Sequence, residues 1–241
     1  MNNLFHKAIF GMALCFSIGA VAQNNDLGTW SVLSGKYTLN KQWSLFLEGQ
    51  IRSQGMYDQF NYYEYKGGIG YNFPKSVSAL FAMGHYNTFQ PEGNFKGPKT
   101  GNEFRIWQQF VITNDINRFK LEHRYRIEQR FTADGYRNRF RYRINGIYPL
   151  NNTSIKEKTW YLSLYNEIFL NNEGLFFENN RMYAGIGYQI NNQLTLQAGW
   201  LNRFDNLGAG KSQTKNFMQT ILLFSLNEFK TGREPHPSSV D

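Results

Sequence analysis

Between positions 123 and 143 the chain reads HRYRIEQRFTADGYRNRFRYR, which carries Arg124, Arg126, Arg130, Arg137, Arg139, Arg141 and Arg143. A planar guanidinium grips carboxylate or phosphate with two donors at once. Arginines at this density can therefore bind nucleic acid, guide an anionic solute or interlock with glutamates. Tyr125, Ile127, Phe131, Phe140 and Tyr142 lie between them and Ile144 follows, and basic residues mixed with aromatics are the usual footprint of a nucleic-acid patch. The spacing decides against that. A period of two sends successive side chains to opposite faces of a strand. An RNA-binding sheet needs stacking aromatics and arginines on one face, whereas here they fall on opposite faces. Nucleic acid is not an expected partner.

Other chemistry is sparsely provided. Beyond the N-terminal segment the histidines are His85, His123 and His236. A lipid hydrolase at a barrel rim would need serine, histidine and an orienting polar group. His236 lies in the terminal EPHPSSVD. His123 shares the parity of Tyr125, and His85 sits between Gly84 and Tyr86. None has a serine at a recognisable spacing, so no enzyme is expected. With no His-x-His, no clustered Asp and a single cysteine at position 15, no metal or cofactor is expected either. Gly68-Ile-Gly70 could open a nucleotide loop, but no helix pattern follows it. The echo of KGGIGYNFPKSVSALFAMGHYN (66–87) in YAGIGYQINNQLTLQAGWLN (183–202) fits a repeated hairpin, with glycine where backbones or interior side chains crowd.

The elements that must position the arginines read as strands throughout. WSLFLEGQIR (43–52), FKLEHRYRIEQRF (119–131) and YRNRFRYRINGIY (136–148) alternate cleanly. Similar segments fall near 29–39, 61–73, 77–89, 102–113, 159–170, 181–190, 194–204 and 216–229. At 10–14 residues they exceed the roughly 5–6 of a typical strand and match the roughly 9–11 that cross a bilayer when tilted. The bulk composition agrees. The 241 residues are 18% charged and 17% aromatic with a net charge of +8, and mean hydropathy is −0.54. After residue 23 no run approaches the roughly 18 apolar residues of a spanning helix.

MNNLFHKAIFGMALCFSIGAVAQ has a basic start, an apolar run and an Ala-Val-Ala end before Gln23. Residues 1–22 are expected to be a cleaved signal peptide. Leu14 stands where a lipoprotein signal wants a small residue, so lipid attachment at Cys15 is not expected. Residues 23–229 are assigned to the barrel and 230–241 to a disordered tail. Connections alternate between short (40–42, 74–76, 114–117, 191–193) and longer polar ones (53–61, 90–101, 132–135, 171–180, 205–215), the pattern of tight periplasmic turns and outer loops. PLNNTSIKEK (149–158) breaks this alternation.

The stretches LNKQWSLFLEGQIR, EHRYRIEQR, RFRYRI, NEIFL and NRMYAGIGYQI, in this order and spacing, resemble a bacterial outer-membrane family catalogued as domain of unknown function 2490. The resemblance implies a β-barrel of the Gram-negative outer membrane and no settled activity. More distantly, alternating arginines on adjacent strands are similar to small anion-selective porins.

The expected fold is therefore an all-β, transmembrane, antiparallel up-and-down barrel. Eleven strands are counted. Single-chain bacterial barrels have even numbers, so ten or twelve are expected, with twelve better suited to about 219 mature residues. With the apolar face toward membrane lipid, the lumen would hold Arg52, Arg105, Lys120, Arg124, Arg126, Arg130, Arg137, Arg139, Arg141 and Arg143. Glu48, Glu103, Glu122, Glu128 and Glu167 would be their counter-charges. A loop centred near Asp134 makes cross-strand partners sum to 267, setting Glu128 opposite Arg139. It also sets Arg126 opposite Arg141, Arg124 opposite Arg143 and Arg130 opposite Arg137, and opposed like charges are destabilising. Two functions lead: a small channel or binding barrel for anionic solutes, or a closed structural barrel with a salt-bridged interior and interacting outer loops; a rim enzyme acting on lipid is the third and least favoured reading.

Overall fold

The computed structural model describes residues 27–91 and 93–227. The expected signal segment 1–22 and the expected disordered tail 230–241 lie outside the described residues. Among the described residues there is no helix, so none is long and apolar enough to cross a membrane. They form eleven strands: β1 (Gly28–Thr38), β2 (Trp43–Gly55), β3 (Asp58–Phe73), β4 (Val77–Phe89), β5 (Lys99–Ile116), β6 (Phe119–Thr132), β7 (Gly135–Pro149), β8 (Thr159–Asn171), β9 (Phe177–Gln189), β10 (Leu194–Gly208) and β11 (Lys211–Leu226).

Each strand pairs with its sequence neighbours in antiparallel fashion, and β1 closes the barrel against β11. That closing pair is parallel, from Gly28 opposite Phe217 to Tyr37 opposite Leu226. The expectation of ten or twelve strands is thus overturned. No extra strand precedes Gly28 among the described residues, and β1 lies in the wall. An odd number makes the first and last strands run the same way, and the sheet accepts this because parallel strands also satisfy every backbone donor.

The expected alternation of short and long connections is also revised. β2 and β3 are joined by only Met56 and Tyr57, β6 and β7 by Ala133 and Asp134, and β10 and β11 by Ala209 and Gly210. The polar stretches taken for loops are strand extensions. Positive φ at both Ala209 and Gly210, 50° and 74°, matches the twist of the flanking strands. Two nine-residue connections remain, one at each end: 90–98 and 150–158. The second turns inward. Ile155, 1% exposed, packs with Ile147 and Tyr161 and covers one end of the lumen. Arg118 fixes it by donating to the carbonyls of Pro149, Leu150 and Asn152 at 2.7, 3.0 and 2.8 Å.

Alternation holds along the wall. Leu33, Leu47, Tyr65, Phe81, Tyr125, Phe140, Leu164 and Trp200 face outward and are exposed. Interior positions are filled. A Cβ at Gly187 would strike the ring of Tyr161, and one at Gly185 that of Tyr183, so these glycines make room for rings lying across the lumen.

Candidate functional site: a buried arginine–glutamate network

The β6–β7 register has the sum of 267: Glu128 faces Arg139, Arg126 faces Arg141, Arg124 faces Arg143 and Arg130 faces Arg137. The opposed arginines are held apart by two carboxylates. Glu128 accepts from Arg139 Nε and Nη2 at 2.8 and 2.5 Å and from Arg141 Nη1 at 2.6 Å. Arg126 and Arg105 stand 3.5 and 3.9 Å from it. Glu167 receives Arg124 Nη2 at 2.5 Å, Arg141 Nε at 2.9 Å and Arg143 Nε at 3.3 Å. Arg141 thus bridges the two carboxylates, which are both 0% exposed.

Nearer the β6–β7 hairpin, Glu103 takes Arg105 at 2.8 Å and also Arg130. Glu178 takes Arg130 at 3.0 Å, Arg139 at 3.2 Å and the more exposed Arg137 at 3.8 Å. Glu178 was not among the expected counter-charges. The β8–β9 register shifts by one residue between Phe169 and Leu170, and Glu178 is the extra residue on β9. Simple alternation from Arg181 skips it, and only the shift turns it inward. Glu122 accepts from Asn145 at 3.1 Å. Lys120 is half-buried at the start of β6, opposite Asp115 and Ile147.

A second cluster lies on β2 and β3. Lys66 Nζ reaches Glu48 at 2.7 Å and Glu64 at 2.6 Å, and Arg52 reaches Glu64 at 3.1 Å. Gln50 ties it together, donating to Glu48 and accepting from Arg52 and the Trp30 indole.

Aromatic faces complete the site. The aromatics between the arginines of 123–143, expected on the lipid side, include Tyr125, Phe131 and Phe140, which are exposed, whereas Trp30, Trp107, Tyr165, Phe169, Tyr183 and Phe217 are buried inside. Arg52 lies 3.4 Å from the Trp30 centroid, Arg105 3.6 Å from Tyr86, and Arg141 and Arg181 each 4.4 Å from Phe169. Arg143 stands 4.4 Å from Tyr165. A desolvated cation–π contact is worth about 2 kcal/mol. The sequence did carry this signal: Tyr165 and Phe169 flank Glu167 at its own parity, and Trp107 flanks Arg105.

The two histidines weighed for hydrolysis sit on the outer face. His85 stacks between Tyr65 and Phe104, and His123 shares a 2.8 Å hydrogen bond with the Tyr142 hydroxyl. Among the described residues no group of three or more His, Cys, Asp or Glu is placed to hold a metal.

No curated protein matches the chain, and no solved structure does. A family model matches residues 27–214, from the start of β1 into β11 and including every residue of both clusters. The chain belongs to the family described as Protein of unknown function (DUF2490).

Proposed function

We propose that this chain is exported by a cleaved signal peptide into the Gram-negative outer membrane and stands there as a barrel closed to solute flow. Its interior is a salt-bridged plug, and its working surfaces are its mouth, outer connections and outer wall. One observation carries this reading: Arg124, Arg126, Arg141, Arg143, Glu128 and Glu167, on the adjacent strands β6–β8, pack together inside the barrel and are 0–5% exposed. A water path wide enough for a solute beside them would leave them wet. Ile155 and the glycine-seated tyrosines add closure toward the opposite end.

A second reading, passage or binding of anionic solutes, draws on the charge balance. Among the described residues of β5–β9, nine inward arginines face five glutamates. Arg124, Arg143, Glu167, Arg181, Arg203 and Lys215 are also successive register partners across six strands. This rung runs from the buried waist to the mouth, where Lys215 donates to the Gln54 carbonyl at 2.8 Å. A cation excess in a confined space favours anions.

Planar-bilayer recordings separate the two. The closed barrel gives no unitary steps when insertion is confirmed by protease protection. Steady steps with an anion-selective reversal potential would replace it with the pore.

A further inference from the structure

On the outer wall three glycines surround one leucine. Gly35 and Gly67 are the register partners of Leu47 on β1 and β3, and Gly49 follows it on β2 at the same face. With no side chain beside it, Leu47 is 69% exposed. The hollow has a volume of about 690 Å³ and an almost wholly apolar lining, within the roughly 300–1,000 Å³ of ligand pockets. Its lining runs from Phe104 and His85 on β5 and β4 to Phe224 and Leu226 on β11. That crosses six adjacent strands, an arc of about 24 Å at roughly 4.8 Å per strand.

We propose that this trough binds one acyl chain of a membrane phospholipid, with the lipid's polar ester region at His85. The inference rests on the membrane reading above. The wall around the trough is apolar, so the medium that meets it there is hydrocarbon. An apolar trough about 24 Å long fits an extended chain. The position of His85 fits a head group: it lies four residues from the end of β4, below an aromatic cluster of Tyr63, Phe89 and Phe95. Aromatic belts mark the level of lipid head groups, and an imidazole there can donate to an ester or phosphate oxygen.

The test uses the full chain refolded into phosphatidylethanolamine–phosphatidylglycerol vesicles. Floated protein is extracted into mild detergent and weighed by native mass spectrometry. Wild type is expected to retain one phospholipid per barrel. Gly35→Leu with Gly49→Leu fills the trough, and a Cβ at these sites meets nothing nearer than 3.8 and 4.0 Å. Retention is expected to fall at least tenfold in the double variant, with heat-modified gel mobility confirming that the barrel has formed. Gly49→Leu alone, with the same direction expected, serves if the double variant does not fold. Leu162→Ala, away from the trough, is expected to leave retention unchanged. Floated wild type without retained lipid, or equal retention in the filled variants, overturns the proposal and leaves the membrane reading standing. Failure to float overturns both. A cross-linked dimer abolished by the filled variants would give the trough to a second copy instead.

Discussion

The β2–β3 cluster and the β5–β9 cluster use the same chemistry in different proportions. In the first, Arg52 and Lys66 meet Glu48 and Glu64, two against two. In the second, Glu128 and Glu167 are each shared among several arginines, and aromatic faces take up part of the remaining charge. Two buried charges repay their desolvation only when geometry and extra hydrogen bonds are good. The balanced cluster meets that condition pair by pair. The crowded one meets it only collectively, at its waist through Glu128 and Glu167. Its weak points should therefore be its anions, whereas the balanced cluster should be as sensitive to losing a cation.

The largest expected effect follows from Glu167→Gln. It removes the carboxylate that Arg124, Arg141 and Arg143 share and leaves three guanidiniums facing one another. Breaking a buried pair costs about 3–5 kcal/mol, and the loss here should reach the top of that range. Urea unfolding of the refolded barrel measures it. A loss near 1 kcal/mol would show that aromatic faces, not Glu167, hold the arginines.

Lys66→Met comes next. It strips one cation from the balanced cluster and leaves Glu48 and Glu64 buried side by side, with Arg52 attached to only one of them. The expected loss is about 3 kcal/mol. Restoring neutrality with Glu48→Gln on the same chain should recover part of it. A double-mutant cycle with no coupling would erase the distinction between the clusters.

Phe169→Leu tests the aromatic contribution. Its ring carries Arg141 and Arg181 at 4.4 Å each and Arg139 at 5.2 Å. Keeping bulk but removing the π face should cost about 1–2 kcal/mol beyond the packing change. Phe217→Leu is the control, because it removes a buried ring that packs edge-on against Trp30. The excess loss at Phe169 over Phe217 is the quantity to read.

These contrasts also show what the sequence could reveal. The β6–β7 register was legible because the alternation on both sides is unbroken and a single short break joins them. One assumed centre then places every opposed pair. Glu178 was not, because a one-residue shift in β9 reverses parity locally and no residue type announces it. Trp107, Tyr165 and Phe169 share parity with charged neighbours, but reading the interior from its charges alone leaves them out. An arginine-lined interior needs π faces that a purely polar lumen does not. The count of eleven strands was read directly and then set aside for an even number, because a parallel seam leaves no mark in a strand's own alternation. The expected loop at 53–61 shrinks to two residues for a similar reason: Gln54, Asp58, Gln59 and Asn61 are polar wall residues or turn flanks, and polarity on both faces reads as loop.

The smallest expected effect is the most discriminating. Arg124→Met removes a cation from the cation-rich cluster, where Arg143 stands directly opposite and Arg126 and Arg141 are close. The lost contact to Glu167 at 2.5 Å is set against relief of repulsion from three arginines, and Glu167 keeps Arg141 and Arg143. Methionine fills the space of the aliphatic stem, and replacing buried charge by apolar bulk is often neutral or better. The change should therefore fall within about 1 kcal/mol of wild type, in either direction, by the same urea unfolding. In the balanced cluster the equivalent removal of Lys66 relieves less repulsion, chiefly from Arg52 on the shared Glu64, so a single pair of variants compares the two stoichiometries. A loss of about 3 kcal/mol at Arg124 would mean that the surplus is only nominal, and that each arginine in the waist is held by an anion of its own.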